Sequence, residues 1–334
     1  MSDIILQNLL SPVVLFFVLG VFAAVFKSDL KYPAALSETL SIYLLIAIGL
    51  KGGIELSHYS LETVIGPILG ALFLGMIIPI LTLIGLRFLK LDMKNAIGLA
   101  ATYGSISIVT YGAAISFLEK AGTSYETFMN AIVVLMESPA IFVSLLLLSV
   151  LKDKQNVLNL SHRNVGIVHK ALPFDAEVIR ESLFGKSVLL LLGSLIIGLV
   201  LGERAVPTVE PLFMDLYSSV LILFLLGMGL SAGERISEVK KHGIKLIAFG
   251  MIAPLIFGTL GVTVGYFAGL SLGGMTLMGV LAGSASYIAA PAALKTSVPE
   301  ANPSIYLGLS LGVTFPFNLI IGIPIYYEIA KFFQ

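Results

Sequence analysis

The 334-residue chain has no cysteine and no tryptophan, only four histidines, and just 12% charged residues. Each shortage removes a class of function. Without cysteine there is no disulfide framework and no thiolate-ligated metal or thiol nucleophile. His58, His162, His169 and His242 are scattered through polar stretches and supply no metal-binding cluster. No HExxH or Walker motif occurs, and the glycine-rich segments lack the strand–turn–helix setting of a nucleotide fingerprint. A metalloprotease, an ATP-driven pump and an enzyme in general lose support, and nothing indicates nucleic-acid binding. A soluble domain carries about 25% charge; here 57% of residues are apolar and mean hydropathy is +1.00. The composition is that of an all-α polytopic membrane protein among lipids.

Ten apolar segments are predicted to span the bilayer, near 10–26, 33–50, 62–88, 94–118, 124–151, 183–201, 207–230, 243–269, 272–297 and 303–330. Most reach the roughly 20 residues that a crossing requires. The first follows an acidic N-terminus and reads as a retained span rather than a cleaved signal. Residues 152–182 form a polar linker, with one short interfacial helix expected around Asp175–Phe184. Sixteen of the twenty basic residues fall on the face of the linker; Lys51, Lys120, Arg204 and Lys331 fall opposite. The positive-inside rule then puts the linker in the cytoplasm and both termini outside.

The halves, 1–151 and 183–334, echo each other. Ile46-Ala47-Ile48-Gly49-Leu50-Lys51-Gly52-Gly53 aligns with Leu226-Gly227-Met228-Gly229-Leu230-Ser231-Ala232-Gly233, and Gly104-Ser105-Ile106-Ser107 with Gly283-Ser284-Ala285-Ser286. Pro139 corresponds to Pro316. Five spans per half would make this an inverted repeat, the arrangement that places a solute near mid-membrane between broken helices. Gly49, Gly53, Gly227, Gly229 and Gly233 are expected to serve close helix packing instead.

Two hydroxyl-rich stretches interrupt the apolar pattern. Gly104, Ser105, Ser107 and Thr110 mark one; Gly283, Ser284, Ser286 and Tyr287 mark the other. Their hydroxyls, and amides freed at a helix break, suit a small anion bound without lysine or arginine. Tight helix packing is the alternative, and it fits less well when both clusters, their consecutive small residues and the nearby prolines are taken together. Glu137 stands in Met136-Glu137-Ser138-Pro139 inside an apolar span, where an acid is costly and usually functional. Pro139 frees a carbonyl about one turn earlier, near Val134 or Leu135. Glu137, Ser138, Thr314 and Asn318 together offer hard oxygens for Na⁺; the alternatives are a structural pairing of Glu137 and helix–helix hydrogen bonding by Asn318. Lys51 and Glu55 read as interfacial.

Over nearly its whole length the chain resembles the cyanobacterial-type sodium-dependent bicarbonate transporter family. The resemblance is strongest in Gly283-Ser284-Ala285-Ser286-Tyr287-Ile288-Ala289-Ala290-Pro291-Ala292-Ala293, Val298-Pro299-Glu300-Ala301-Asn302-Pro303-Ser304 and Leu311-Gly312-Val313-Thr314-Phe315-Pro316-Phe317-Asn318. It implies a five-plus-five inverted repeat with core and gate domains, a homotrimer, and bicarbonate uptake driven by Na⁺. It also implies regulation by a PII-like protein on the cytoplasmic face. Ser105, Ser107, Ser284 and Ser286 would serve the ion pocket, and Glu137 matches the acid of relatives that resemble a Met-Asp-Ile-Pro version. Transport of another small organic anion, cation/proton exchange through Glu137, and a receptor or scaffold role are the competing functions.

Overall fold

The computed structural model describes residues 6, 8–137, 139–140, 142–144, 146, 184–241 and 243–334. Ser138, the linker 152–182 and the helix expected around Asp175–Phe184, apart from Phe184, lie outside the described residues. All regular structure among the described residues is helical. The helices are α1 (Pro12–Val25), α2 (Ala34–Leu56), α3 (Leu61–Phe88), α4 (Met93–Gly104) and α5 (Ile108–Lys120), then α6 (Met129–Ser144). The second half has α7 (Lys186–Leu201), α8 (Tyr217–Lys241), α9 (Ile244–Phe267), α10 (Leu272–Gly283) and α11 (Ala289–Ser297), and finally α12 (Pro303–Phe332). Among the described residues, six helical segments are long and apolar enough to cross a membrane: α2, α3, α4–α5, α7–α8, α9 and α12. Shorter apolar helices are α1, α6 and α10.

Local chemistry sets the helix starts. Ser11, Ser60, Asp92, Ser107, Ser271 and Asn302 each accept a backbone N–H from the first turn of the helix that follows, replacing one missing intrahelical partner. The segment α7–α8 bends at Gly202, where φ is 54°, and passes through irregular turns over 202–214. Pro316 cannot donate an N–H, and wide π turns at Ser310–Thr314 and Asn318–Gly322 flank it in α12.

Two helix pairs are built by exchange between the halves: α1 packs along α8, and α2 along α7. Glycines permit the approach. A Cβ on Gly53 would strike the Leu195 carbonyl, and one on Gly229 the Phe17 carbonyl. Cβ atoms on Gly49, Gly227 and Gly233 would also meet neighbouring atoms, so the packing expected for these glycines is what the structure shows. Beside these pairs, α3 packs on α4 and α9 on α10. Large apolar side chains such as Leu69, Phe73, Ile196, Val200 and Ile256 face outward, the surface that hydrocarbon would cover.

The broken segment α4–α5 is shielded from that surface, nearly all of its residues from Ala96 to Leu118 being buried. Gly53→Val is expected to cost about 1–3 kcal/mol, the usual penalty of overpacking, and to lower the thermal unfolding midpoint in detergent. Gly193→Ala is the contrasting variant. A Cβ there meets nothing within 4 Å, so stability should hold or rise by up to about 1 kcal/mol.

Candidate functional site

Helix α4 stops at Gly104, and α5 restarts at Ile108 after extended backbone at Ser105 and Ser107. Likewise α10 stops at Gly283, and α11 restarts at Ala289. Two helix C-termini and two N-termini therefore converge, bringing carbonyl-rich and amide-rich ends together. The breaks are stitched to each other. Ser284 Oγ accepts the Ser107 N–H at 2.9 Å and donates to the Leu281 carbonyl at 2.9 Å. The Ser286 N–H donates to the Thr102 carbonyl at 2.7 Å. Ser107 Oγ caps α5 by accepting the Thr110 N–H and hydroxyl at 3.2 and 2.8 Å, and Ser286 Oγ accepts the Ala290 N–H at 3.2 Å.

Surrounding helices hold the crossing in place. Asn318 Nδ2 donates to the Gly283 carbonyl at 2.7 Å, which caps the end of α10. The Tyr326 hydroxyl lies 2.8 Å from Asn318 Oδ1 and 2.9 Å from the Pro254 carbonyl, so its one proton is shared between two acceptors. Gly283 is glycine because a Cβ would sit 2.5 Å from that hydroxyl. Gly104 has the same reason, a Cβ there running into the Pro79 ring. Thr314 donates to the Gly250 carbonyl at 2.7 Å and lies 2.5 Å from the Tyr103 hydroxyl.

A cavity of about 10 Å³ lies beside the crossing, bordered by Ser107, Glu137, Ser187, Ser286 and Tyr287 together with apolar side chains. It is near the lower limit for one water-sized species. Among the described residues, two polar atoms buried at the crossing have no hydrogen-bond partner: Ser105 Oγ and Glu137 Oε2. Glu137 is only 2% exposed. An unpaired buried carboxylate is expensive, and such orphans call for a specific explanation. A cation of water size supplies one. Among the described residues no three His, Cys, Asp or Glu side chains gather. One carboxylate with neutral hydroxyl and carbonyl oxygens is a donor set that fits a hard monovalent cation.

The residues expected at the site therefore divide. Ser107, Ser286, Tyr287 and Glu137 border the cavity. Ser284, Thr110, Thr314 and Asn318 are buried and occupied in holding the broken helices, while Gly104 and Gly283 allow the close approach. Ser187, near the start of α7, was not expected. A lone serine at the head of an apolar run gives no signal of the cavity it will face.

A family model described as the Na⁺-dependent bicarbonate transporter superfamily matches residues 12–331. The chain belongs to that superfamily. Among curated proteins, none matches it significantly.

Ser284→Ala removes the acceptor of the buried Ser107 N–H and should destabilise the protein by about 1–3 kcal/mol. Ser105→Ala deletes an unpartnered hydroxyl and should leave stability within about 1 kcal/mol. Thermal unfolding of both variants in detergent checks the contrast.

Proposed function

We propose that the protein is a secondary transporter that carries bicarbonate into the cell with Na⁺. The observation behind this reading is Glu137 Oε2, buried without a hydrogen-bond partner among the described residues, beside two stitched helix breaks. Glu137 and the nearby hydroxyl and carbonyl oxygens would take Na⁺. Ser105, Ser107, Ser286, Tyr287 and the first amides of α5 and α11 would take the anion, whose charge the cation offsets. Ser138 and the freed carbonyl ahead of Pro139 complete the proposed cation ligands.

Ten membrane crossings in an inverted repeat suit this use. The pairs α1–α8 and α2–α7 would form a gate, and the remaining helices a core. The central cavity is too small for bicarbonate, so loading requires movement between gate and core. A larger cavity of about 150 Å³, bordered by Lys186 and Ala289, shares Ser187 and Ile288 with the central one. It lies at the end where Lys186 pairs with Glu38, the cytoplasmic end in the charge-based topology. Alternating access would connect the central cavity to that side and then to the opposite one. Homotrimer formation and control by a PII-like protein on the cytoplasmic face belong to the same proposal, as does an inner-membrane location with both termini outside.

Radiolabelled bicarbonate uptake into proteoliposomes should require an inward Na⁺ gradient. Equal uptake with K⁺ or choline in place of Na⁺ would refute the coupling, and stronger transport of a small carboxylate would change the substrate. Glu137→Gln keeps the shape but removes the charge. Loss of a charge-assisted contact of about 1.5–3 kcal/mol should raise the Na⁺ concentration for half-maximal uptake roughly tenfold or more. An unchanged Na⁺ dependence in the folded variant would leave Glu137 structural.

A further inference from the structure

A second polar cavity lies farther along the same seam, with a volume of about 60 Å³. Lys51 of α2, Glu119 of α5, Asn130 of α6, and Tyr217 and Ser218 of α8 border it. The helices that border the central cavity continue here. Lys51 is six residues beyond Leu45 on α2, a rise of about 9 Å. Asn130 is seven residues before Glu137 on α6, about 10 Å away on nearly the same face. The 150 Å³ cavity adjoins the central one at the opposite end of α2, where Glu38 meets Lys186. The two larger cavities therefore flank the central one along the seam.

The chemistry of this second cavity is unspent. Lys51 makes no ion pair or hydrogen bond among the described residues, and Glu119 does not approach it within ion-pairing distance. The Tyr217 hydroxyl is buried without a partner. Asn130 is 1% exposed. It donates one amide proton to the Thr127 carbonyl at 2.9 Å and accepts the Tyr111 hydroxyl at 3.1 Å, leaving its second amide proton uncommitted. An ammonium, a phenol, an amide and the Ser218 hydroxyl thus meet in one small polar space. All four donate, and a small oxyanion accepts from several donors at once.

We propose that this cavity is an outer loading site for a small monovalent oxyanion, held by Lys51, Tyr217 and Asn130 before it reaches the central cavity. The inference rests on the transport reading above and gives it an approach route. The site would make up for the neutrality of the central crossing, which offers hydroxyls and amides but no cationic side chain to attract an anion from water. Glu119 on the facing wall offsets the charge of Lys51. Binding stays weak, as a transit site requires if its ion is to leave again.

The absence of cysteine allows a direct test. Lys51→Cys creates a single thiol whose reaction with 2-aminoethyl methanethiosulfonate restores a lysine-like cation. In proteoliposomes, Lys51→Cys should raise the KM for bicarbonate roughly two- to five-fold, the range for one partly exposed charge contact. Aminoethylation should reverse that rise, whereas an anionic thiol reagent should not. Bicarbonate added in K⁺ medium, without Na⁺, should also slow labelling of the thiol in detergent. An unchanged KM together with a labelling rate insensitive to bicarbonate would overturn the outer site. Protection of the thiol by bicarbonate in a protein without Na⁺-driven flux would retain the site and overturn the transport reading. Lys51→Arg, which keeps the charge, should show a KM near that of the unmodified protein. If its KM rises as far as that of Lys51→Cys, charge is not what the site uses.

Discussion

A helix broken inside an apolar interior must find new partners for its exposed amides and carbonyls, because neither lipid nor packed hydrocarbon will supply them. Much else in this protein follows from how that demand is met at two places at once. Each break answers part of the other's need, with Ser284 taking an amide from Ser107 and Ser286 giving one to Thr102. The helices around the crossing supply the rest. Asn318 reaches the exposed carbonyl of Gly283, and Tyr326 orients Asn318. Glycine at 104 and 283 lets the broken ends press against Pro79 and Tyr326. These residues form one mechanical unit, and loss of the Ser284 or Asn318 side chain leaves a buried backbone group unpaired.

What remains unpaired after this mutual satisfaction is therefore informative. The backbone of the breaks is provided for, and so are most of the hydroxyls. Among the described residues, Glu137 Oε2 and Ser105 Oγ have no partner. Folding alone gives no reason to keep an acid there with one oxygen unpartnered, since an apolar side chain of similar volume is often as stable or more so. The cargo ion proposed above would give a reason. Under the proposed transport function, the small central volume is a closed arrangement that the larger anion would reach only when the surrounding helices part.

The membrane character, the placement of the breaks and the packing glycines were all legible in the sequence, because each leaves a local mark. A serine or glycine cluster inside an apolar run stands out, and so does an acid ahead of a proline. Other residues depended on contacts made far along the chain. Thr314 and Asn318 stand four apart and read as one face, yet Pro316 and the π turns around it deliver them to Gly250 and Gly283. Ser187 gains its place only when α7 packs on α2 beside the second break. Lys51 reads as interfacial by position, but the meeting of α2 with α5, α6 and α8 encloses it in a polar cavity. No spacing rule carries such information.

The same contacts indicate where the structure is able to move. Within the pairs α1–α8 and α2–α7, backbone meets backbone across glycine, a fit that tolerates little displacement. Between these pairs and the broken helices, the middle of the seam is apolar and aromatic. Phe17 meets Phe315 at 5.1 Å between ring centroids, and Phe315 meets Tyr287 at 5.4 Å. Ring contacts of this kind re-form after a shift because they lack the strict direction of a hydrogen bond. Directional bonds that cross the seam include Asn8 to the Leu319 carbonyl at 2.7 Å and Thr127 to Glu55 at 2.6 Å. Asn8 precedes α1, and Glu55 lies in the last turn of α2, so these bonds fasten the seam through the ends of helices. A rigid crossing that slides on an aromatic surface and is fastened at helix ends would change the exposure of Glu137 while its own hydrogen bonds stay intact.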